Sequence, residues 1–241
     1  MKVIKDIFNS EIFNIQMGNV VEVDSSSVCE LVNKALEDNF DHLTVKIPTS
    51  EKKIVNEFLK SGFIITDTLV EYVFLFGKSE LPNMNHRVIL RDFREEDITD
   101  LMDISRVAFT YDRFHSDEKL DNTLCDKYYE QWIYNSCNGF ADKVIVAEYE
   151  GKPVGFTTGR LYQDDKLGHL VLSAVSDKCR GLGIYTSMIY EGVKWLKQYD
   201  YLDGLLVGTQ INNLAVQKAW IKLGFTIYGS EYVLQKYIGE N

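Results

Sequence analysis

Arg180-Gly181-Leu182-Gly183 places a guanidinium beside two residues without a Cβ, at the point where an apolar stretch gives way to an amphipathic one. Backbone N–H groups converge in such a turn with no side chain to block approach, which makes it a nest for phosphate or pyrophosphate. The run that leads into it, HLVLSAV from His169, would let a ligand rest its phosphates on the turn and lay an extended arm along a strand. Coenzyme A has that shape. Cys179, next to the turn, reads as a small residue there rather than a reactive thiol.

The elements that must hold this turn follow from spacing. Ile184, Met188, Ile189, Trp195 and Leu196 recur at close to helical period, so the segment after the turn is a helix with one buried face. Leu170 to Val175 is the strand before it and Gly204 to Gly208 the strand after it, a parallel relation that the intervening helix makes natural. Asn213 is placed to cap a further helix, whose Val216, Ala219, Trp220 and Leu223 form a buried stripe ended by Gly224. Upstream, Arg87 to Arg91 alternates as a strand, and Arg94 to Val107 opens with acidic residues suited to a helix start. Asp117 to Asn135 contains a second helical stretch. Strands Lys143 to Glu148 and Pro153 to Leu161 flank a hairpin turn at Glu150-Gly151-Lys152. The expected class is α/β (α+β): a mixed, mostly antiparallel sheet flanked by helices, with one parallel strand-helix-strand unit at its functional centre.

Nearer the start, a helix at Ser27 to Asp38, a strand at His42 to Ile47, a helix at Glu51 to Lys60 and a strand at Leu69 to Phe76 repeat the order found at the end of the chain. IVNEFLKSGFIITDTLVEYVF and AVQKAWIKLGFTIYGSEYVL share Gly-Phe after a helix and then Glu-Tyr-Val, which suggests an internal duplication. The first copy has VVEVDSSSV, Val20 to Val28, where the second has its glycine turn, so it should not hold phosphate. GKSELPNMNH, Gly77 to His86, separates two expected domains: residues 1–80, without a nucleotide-type loop, and residues 86–241.

Composition narrows the function classes. The 241 residues are 45% hydrophobic, enough for a sizeable core. With 36 acidic against 26 basic side chains and a net charge of −10, neither a nucleic acid nor an anionic membrane surface is an expected partner. The chain start lacks the pattern of a signal peptide and no run is long and apolar enough to span a bilayer, so a cytoplasmic location is expected. Cys29, Cys125, Cys137 and Cys179 are scattered, without metal-ligand spacing, so reduced thiols and no metal site are expected.

Strand, Arg-x-x-Gly turn, helix, strand, Asn-led helix with an aromatic seven residues on, and Gly-Phe together resemble the GNAT superfamily of acyl-CoA-dependent N-acyltransferases over Arg87 to Tyr237. TYDRFHSDEKL with YYEQWIYNS, and an N-terminal half like residues 1–76, are similar to the TDP-fucosamine acetyltransferases and related sugar-nucleotide N-acetyltransferases. The resemblance implies a half-GNAT-like first domain and a GNAT second domain. It implies acetyl-CoA or another acyl-CoA as cofactor, with Ser173, Ala174 and Val175 pairing the pantetheine arm. Arg180, Gly181, Leu182, Gly183, Ile184 and Tyr185 would then cradle the pyrophosphate, and Asn213 and Trp220 would lie near the thiol. Two departures stand out: Tyr185 replaces a small residue, and Trp220 stands where many relatives have a tyrosine that protonates the leaving thiolate. An indole N–H donates a hydrogen bond but is no acid near neutrality.

Amine acylation needs a neutral amine, a polarised thioester carbonyl and a stabilised thiolate. A strand amide near Ser173 to Val175 could polarise the carbonyl. His169 is the candidate base, since imidazole titrates near neutrality, although a strand-end histidine is also simply an exposed one. Tyr185 and Tyr228 are candidate proton donors. Arg113, Phe114 and His115 offer a phosphate-binding guanidinium, an aromatic face and a titratable ring, and Tyr128, Trp132 and Asn135 offer stacking and hydrogen bonds, as an anionic nucleotide-sugar would require. The alternative is that these aromatics are core and Arg113 a surface ion-pair partner. The expected activity is therefore N-acetylation of a primary amine on a small acceptor, a nucleotide-linked amino sugar. The competing readings are acetylation of an amino acid, polyamine or antibiotic, and a non-catalytic acyl-CoA sensor. A homodimer is the assembly the reading allows beside the monomer.

Overall fold

The computed structural model describes residues 1–24, 27–109, 112–163 and 165–239. Ser25 and Ser26 of the first-copy stretch, and Thr110 and Tyr111 at the head of the TYDRFHSDEKL motif, lie outside the described residues. In chain order the elements are β1 (Lys2–Lys5), α1 (Ile7–Phe13), β2 (Met17–Val21), α2 (Val28–Glu37), β3 (His42–Pro48), α3 (Lys52–Lys60) and β4 (Ile64–Leu75). They continue with β5 (Ile89–Asp92), α4 (Ile98–Ala108), α5 (Asn122–Asn135), β6 (Lys143–Tyr149), β7 (Lys152–Arg160) and β8 (Leu167–Val175). Last come α6 (Ile184–Leu196), β9 (Gly204–Gln210), α7 (Leu214–Lys222) and β10 (Thr226–Tyr237). The expected class is what is found: helices on a mostly antiparallel sheet.

The chain packs as two compact units built from interleaved segments. The first comprises Met1–Val70, Asp112–Leu124 and Gly229–Asn241, and the second Glu71–Tyr111 and Cys125–Tyr228. In the first, β1 pairs antiparallel with β2, β2 runs parallel to β3, and β3 pairs antiparallel with β10. Leu43, Val45 and Ile47 alternate along β3 into a core with Leu31 and Ala35 of α2 and Val55 and Phe58 of α3. The three short elements at residues 1–21 carried no legible period, and β4 begins at Ile64 rather than Leu69.

In the second unit β5, β6, β7 and β8 form antiparallel ladders and β8 runs parallel to β9. Glu150 and Gly151 both have positive φ, 51° and 77°, as the tight hairpin between β6 and β7 requires. The α6 helix lies so close to the sheet that a Cβ on Gly159 would meet the Trp195 ring at 2.2 Å and one on Gly192 would meet Leu170 at 2.6 Å. A bidentate pair ties β5 to the start of α4: Arg91 Nη1 and Nη2 donate to Asp97 Oδ2 and Oδ1 at 2.7 and 2.9 Å, and Arg91 Nε donates to Glu148 at 2.7 Å. That network fixes the helix packed against β7 and β8.

Candidate active site

Two irregularities of β8 shape the site. Along its β7 edge the register steps from Thr157↔Ser173 to Gly159↔Leu170, so Val171 and Leu172 together oppose Thr158 in a β-bulge. The amide of Leu172, displaced from the ladder, donates instead to Thr158 Oγ1 at 3.1 Å. The bulge also inverts the faces. Leu170 packs on Gly192, while Val175, an odd number of residues on, packs with Ile184 and Met188 of the same helix. In an unbulged strand those two would point to opposite faces.

On the other edge the parallel ladder with β9 runs only from Leu167↔Gly204 to Leu170↔Val207. It stops where the bulge begins, and β8 continues to Val175 beyond it. The bulge bends β8 as ladder pairing with β9 ends, leaving the β9-facing edge of residues 171–175 clear of that ladder. The resemblance implies a pantetheine arm on this strand, at Ser173, Ala174 and Val175. The Ser173 hydroxyl is engaged on the β7 side, with Thr157 Oγ1 at 2.7 Å.

Past a single helical turn at Asp177–Cys179, the chain enters the glycine turn. Gly181 and Gly183 have φ of 82° and 78°, a conformation costly for any residue with a Cβ. A Cβ at either would meet nothing within 4 Å, so the space above the turn is open. Gly183 is the N-cap of α6, and no side chain caps it. The first amides of α6 and the positive end of its dipole therefore face that space. Arg180 Nη2 reaches Asp177 Oδ1 at 2.6 Å, with both side chains exposed, an ion pair that solvent makes easy to exchange for a phosphate.

Tyr185 packs against the cluster of Ala147, Val154, Ile184 and Met188. Burial holds its phenol protonated, well above the usual tyrosine range; the nearby Trp220 indole pulls the other way without meeting hydrogen-bond geometry. Trp220 is 2% exposed and its Nε1 has no hydrogen-bond partner among the described residues. Gln217, which the sequence reading passed over, is buried beside it: it accepts from Tyr72 at 3.3 Å and donates to the Ile211 carbonyl at 2.8 Å. Asn213 sits at the N-cap of α7, but its side chain makes no cap and donates instead to Thr209 Oγ1 at 3.0 Å. The expected capping role is thus corrected, because a hydroxyl on the preceding strand lies within reach of the amide.

His169 lies on β8 before the bulge, paired with Arg160 on one side and Leu206 on the other. Its Nε2 meets Asp165 Oδ2 at 2.8 Å and its ring stands edge-on to Tyr162. The hydrogen bond from His169 is the main cause that holds the Asp165 carboxyl below the usual carboxylate range. Tyr228, at the start of β10, is 60% exposed.

The acceptor residues divide between the units. Tyr128, Trp132 and Asn135 belong to α5 in the second, where Tyr128 is buried edge-on to Trp132 and Asn135 Oδ1 accepts from Gln131. Arg113, Phe114 and His115 belong to the first. There Arg113 donates to Thr44 Oγ1 at 3.1 Å and lies 4.5 Å over the Phe114 ring, Phe114 packs on Phe13, and His115 Nδ1 meets Asp112 Oδ2 at 2.6 Å. Arg113 is thus half-buried against these groups.

The sequence profile described as the acetyltransferase (GNAT) family matches residues 98–225, more than half of the chain and all of the bulged strand, glycine turn and α7. The chain belongs to the GNAT family. The chain is 25% identical over 132 residues to the spore coat polysaccharide biosynthesis protein SpsD of Bacillus subtilis, covering 55% of this chain and 45% of that one. The chain thus spans less than half the length of that curated relative. It is also 25% identical over 154 residues to an uncharacterized N-acetyltransferase, MJ1530, of Methanocaldococcus jannaschii, covering 62% of this chain and 83% of that one. Among solved structures, a tandem GNAT protein from the clavulanic acid biosynthesis pathway superposes with a TM-score of 0.64 at 12% identity, over 93% of this chain and 76% of that one. A likeness at that identity is one of fold. The GNAT fold accounts for the strand-turn-helix arrangement, and the tandem neighbour has a fold in common with nearly the whole of this chain.

Proposed function

We propose that the protein is an acyl-CoA-dependent N-acetyltransferase whose acceptor is the primary amine of a nucleotide-linked amino sugar. The observation that carries the reading is the overhang of β8 leading into an open, uncapped glycine turn. A strand edge clear of its ladder, a phosphate nest and a buried indole N–H without a hydrogen-bond partner among the described residues fit the arm, pyrophosphate and thiol end of the cofactor in turn. Backbone groups of Ser173, Ala174 and Val175 align the arm, and the turn from Arg180 to Tyr185 holds the pyrophosphate. When bound, acetyl-CoA supplies an activated acyl group on a sulfur that leaves readily. The Trp220 N–H donates toward that sulfur without giving up its proton. His169, oriented by Asp165, takes the proton of the attacking amine. Support for a sugar comes from the polysaccharide-biosynthesis relative, and support for an anionic one from Arg113 beside Phe114 and His115. We divide the chain into a half-GNAT-like domain, residues 1–80, and a GNAT domain, residues 86–241, and place it in the cytoplasm.

Release of free CoA thiol from acetyl-CoA tests this across TDP- and UDP-linked 4-amino sugars, amino acids and polyamines. Turnover with the sugars is expected, with Arg113→Ala raising the acceptor KM far more than that for acetyl-CoA. His169→Gln should lower kcat by about a hundredfold, the usual size of a general-base contribution. Turnover of polyamines alone would sink the sugar reading. Tight acetyl-CoA binding with no release from any amine would favour a sensor, the reading that Trp220 in place of an acid supports.

A further inference from the structure

The unit that carries the glycine turn also holds a guanidinium that the acyl-transfer reading leaves idle. The β7–β8 ladder pairs Arg160 with His169, so the two side chains leave the same face of the sheet as cross-strand neighbours. Leu170, one residue on, packs on Gly192 of α6, which puts Arg160 and His169 on the face away from that helix. Two rings lie against the guanidinium. Phe140, at the end of the turn Ser136–Phe140 that follows α5, has its ring centre 4.5 Å from Arg160 Cζ, and that of Tyr162 is 5.5 Å away. Tyr162 in turn stands edge-on to His169 at 4.9 Å. Phe140, Arg160, Tyr162 and His169 thus form a row that ends at the candidate base. Phe140 and Tyr162 are 53% and 46% exposed, so the row lies at the surface and a ligand can reach it.

The rings hold the guanidinium, but no acceptor does. Its Nε is buried without a hydrogen-bond partner among the described residues. Asp142 Oδ2 lies 3.7 Å from Nε, beyond hydrogen-bond reach, and accepts instead from the Leu161 amide at 2.8 Å. Asp165, the other carboxylate of the row, is held by His169. Nη1 and Nη2 make no hydrogen bond among the described residues either, and they are not buried: a quarter of the side chain is exposed. Stacking fixes the plane of a guanidinium, and a fixed plane with an open donor edge meets a carboxylate or phosphate through two parallel hydrogen bonds. Asp142 offsets part of the positive charge, so selectivity here comes from the shape of the fork more than from bare attraction.

We propose that Arg160 is a specificity residue for the acceptor, whose oxyanion, a phosphate or a carboxylate, is taken by the open Nη edge while the reacting amine lies at His169. Cβ atoms of a cross-strand pair are about 5 Å apart, so the acceptor carries its negative charge about one sugar ring away from its amine. A polyamine would bring a second cation to the guanidinium and be turned away. Every residue of this contact belongs to the second unit, so it is separate from Arg113. The place of the amine rests on the acyl-transfer reading above, and the anion contact does not.

Three forms of one sugar test it on the full chain: 4-amino-4-deoxyglucose 1-phosphate, the methyl glycoside of 4-amino-4-deoxyglucuronate, and methyl 4-amino-4-deoxyglucoside, which has no anionic group. Each is followed by thiol release from acetyl-CoA and by calorimetric titration. At least one anionic form should show a KM and a Kd about tenfold or more below those of the uncharged glycoside, the worth of a charge-assisted hydrogen bond. Preference for the phosphate or for the uronate tells a phosphate subsite from a carboxylate one. Arg160→Gln should erase the preference and move kcat and the acetyl-CoA KM far less, and Arg160→Lys, a charge without the fork, should restore part of it. Phe140→Leu keeps the charge and removes a ring from the stack, so it should weaken the preferred anion about threefold. A merely structural Arg160 would lower Tm and affect the three sugars alike. Equal affinity for charged and uncharged forms, binding of none of them, or a preference that survives Arg160→Gln would overturn the proposal. Titration needs no turnover, so a preference that depends on Arg160, with no thiol released from any amine, would count against acyl transfer and leave the anion contact standing.

Discussion

Among the described residues, two parallel strand-helix-strand units, β2-α2-β3 and β8-α6-β9, have come to opposite solutions at the helix start. In the first, Ser27 caps α2 with its own side chain, accepting from the Glu30 amide, and β2 ends one residue past its last rung, Val20↔Val45. In the second, two left-handed glycines leave α6 uncapped, and β8 overruns its last rung to Val175. One copy satisfies its amides internally, and the other keeps them for something else. The parallel extends downstream. The amide of Phe63 bonds the Phe58 carbonyl and that of Phe225 bonds the Trp220 carbonyl, both at 3.1 Å, each closing its helix beside a positive-φ glycine. At the equivalent buried position one copy has an apolar ring and the other an indole with an unmet donor.

The most severe way to break this comparison is to give the second copy an acidic cap. Gly181→Asp with Gly183→Asp puts two carboxylates where a pyrophosphate would sit. At an effective dielectric near 20, each within about 6 Å of a phosphate charge costs about 3 kcal/mol, so acetyl-CoA affinity should fall by about a thousandfold or more. Left-handed strain should cost about 1–2 kcal/mol per site as well, visible as a lower Tm. An unchanged acetyl-CoA Kd in a folded double variant would remove the turn from the cofactor site.

At the first rung of each parallel ladder the copies differ again, with His42 opposite Met17 and Gly204 opposite Leu167. Because burial holds the folded pKa of His42 at about 4, below the ordinary 6.5, the unfolded chain takes up a proton that the folded chain refuses. The stability His42 contributes is thus fully present above about pH 6.5, is lost as pH falls from there to about 4, and is flat below. The loss amounts to about 3 kcal/mol at about 1.4 kcal/mol per pH unit. Urea denaturation at pH 7 and pH 4.5 should show that increment in the unsubstituted protein and not in His42→Leu. Equal slopes in the two would contradict it.

Much of the second copy was legible in the sequence because local rules dictate it. The glycine turn, the α6 stripe and the Glu150-Gly151 hairpin each depend on residues a few positions apart. The bulge was not legible, since two residues oppose one only once β7 is in register with β8, and Thr158 reads as an ordinary strand threonine until its hydroxyl is found on the Leu172 amide. His42 in an alternating strand reads as solvent-facing, yet it is buried with its ring edge-on to Tyr237, almost two hundred positions away. Asp165 carries no local signal of its own, and only the turn into β8 brings it to His169.

The bulge can be tested on the same terms. Thr158→Val keeps the shape and strands the buried Leu172 amide, which should cost about 1–3 kcal/mol in denaturation and raise the acetyl-CoA KM, whereas Thr158→Ser should do neither. If valine and serine behave alike, the hydroxyl does not hold the bulge.

The smallest effect is the one that sharpens the comparison most. Trp220→Phe gives the second copy the apolar ring that the first has at Phe58. If the indole N–H only fills space, removing a buried unmet donor should leave stability equal or slightly higher and turnover unchanged. If it serves the leaving sulfur, stability should again hold or rise while kcat falls about tenfold, the worth of one hydrogen bond, with acetyl-CoA Kd moving much less. Stability and rate moving in opposite directions would mark Trp220 as a donor kept at a structural cost for a partner that the folded chain alone does not supply. A parallel loss of both would make it core, and would return the search for the group facing the sulfur to the Tyr185 phenol, which burial keeps protonated.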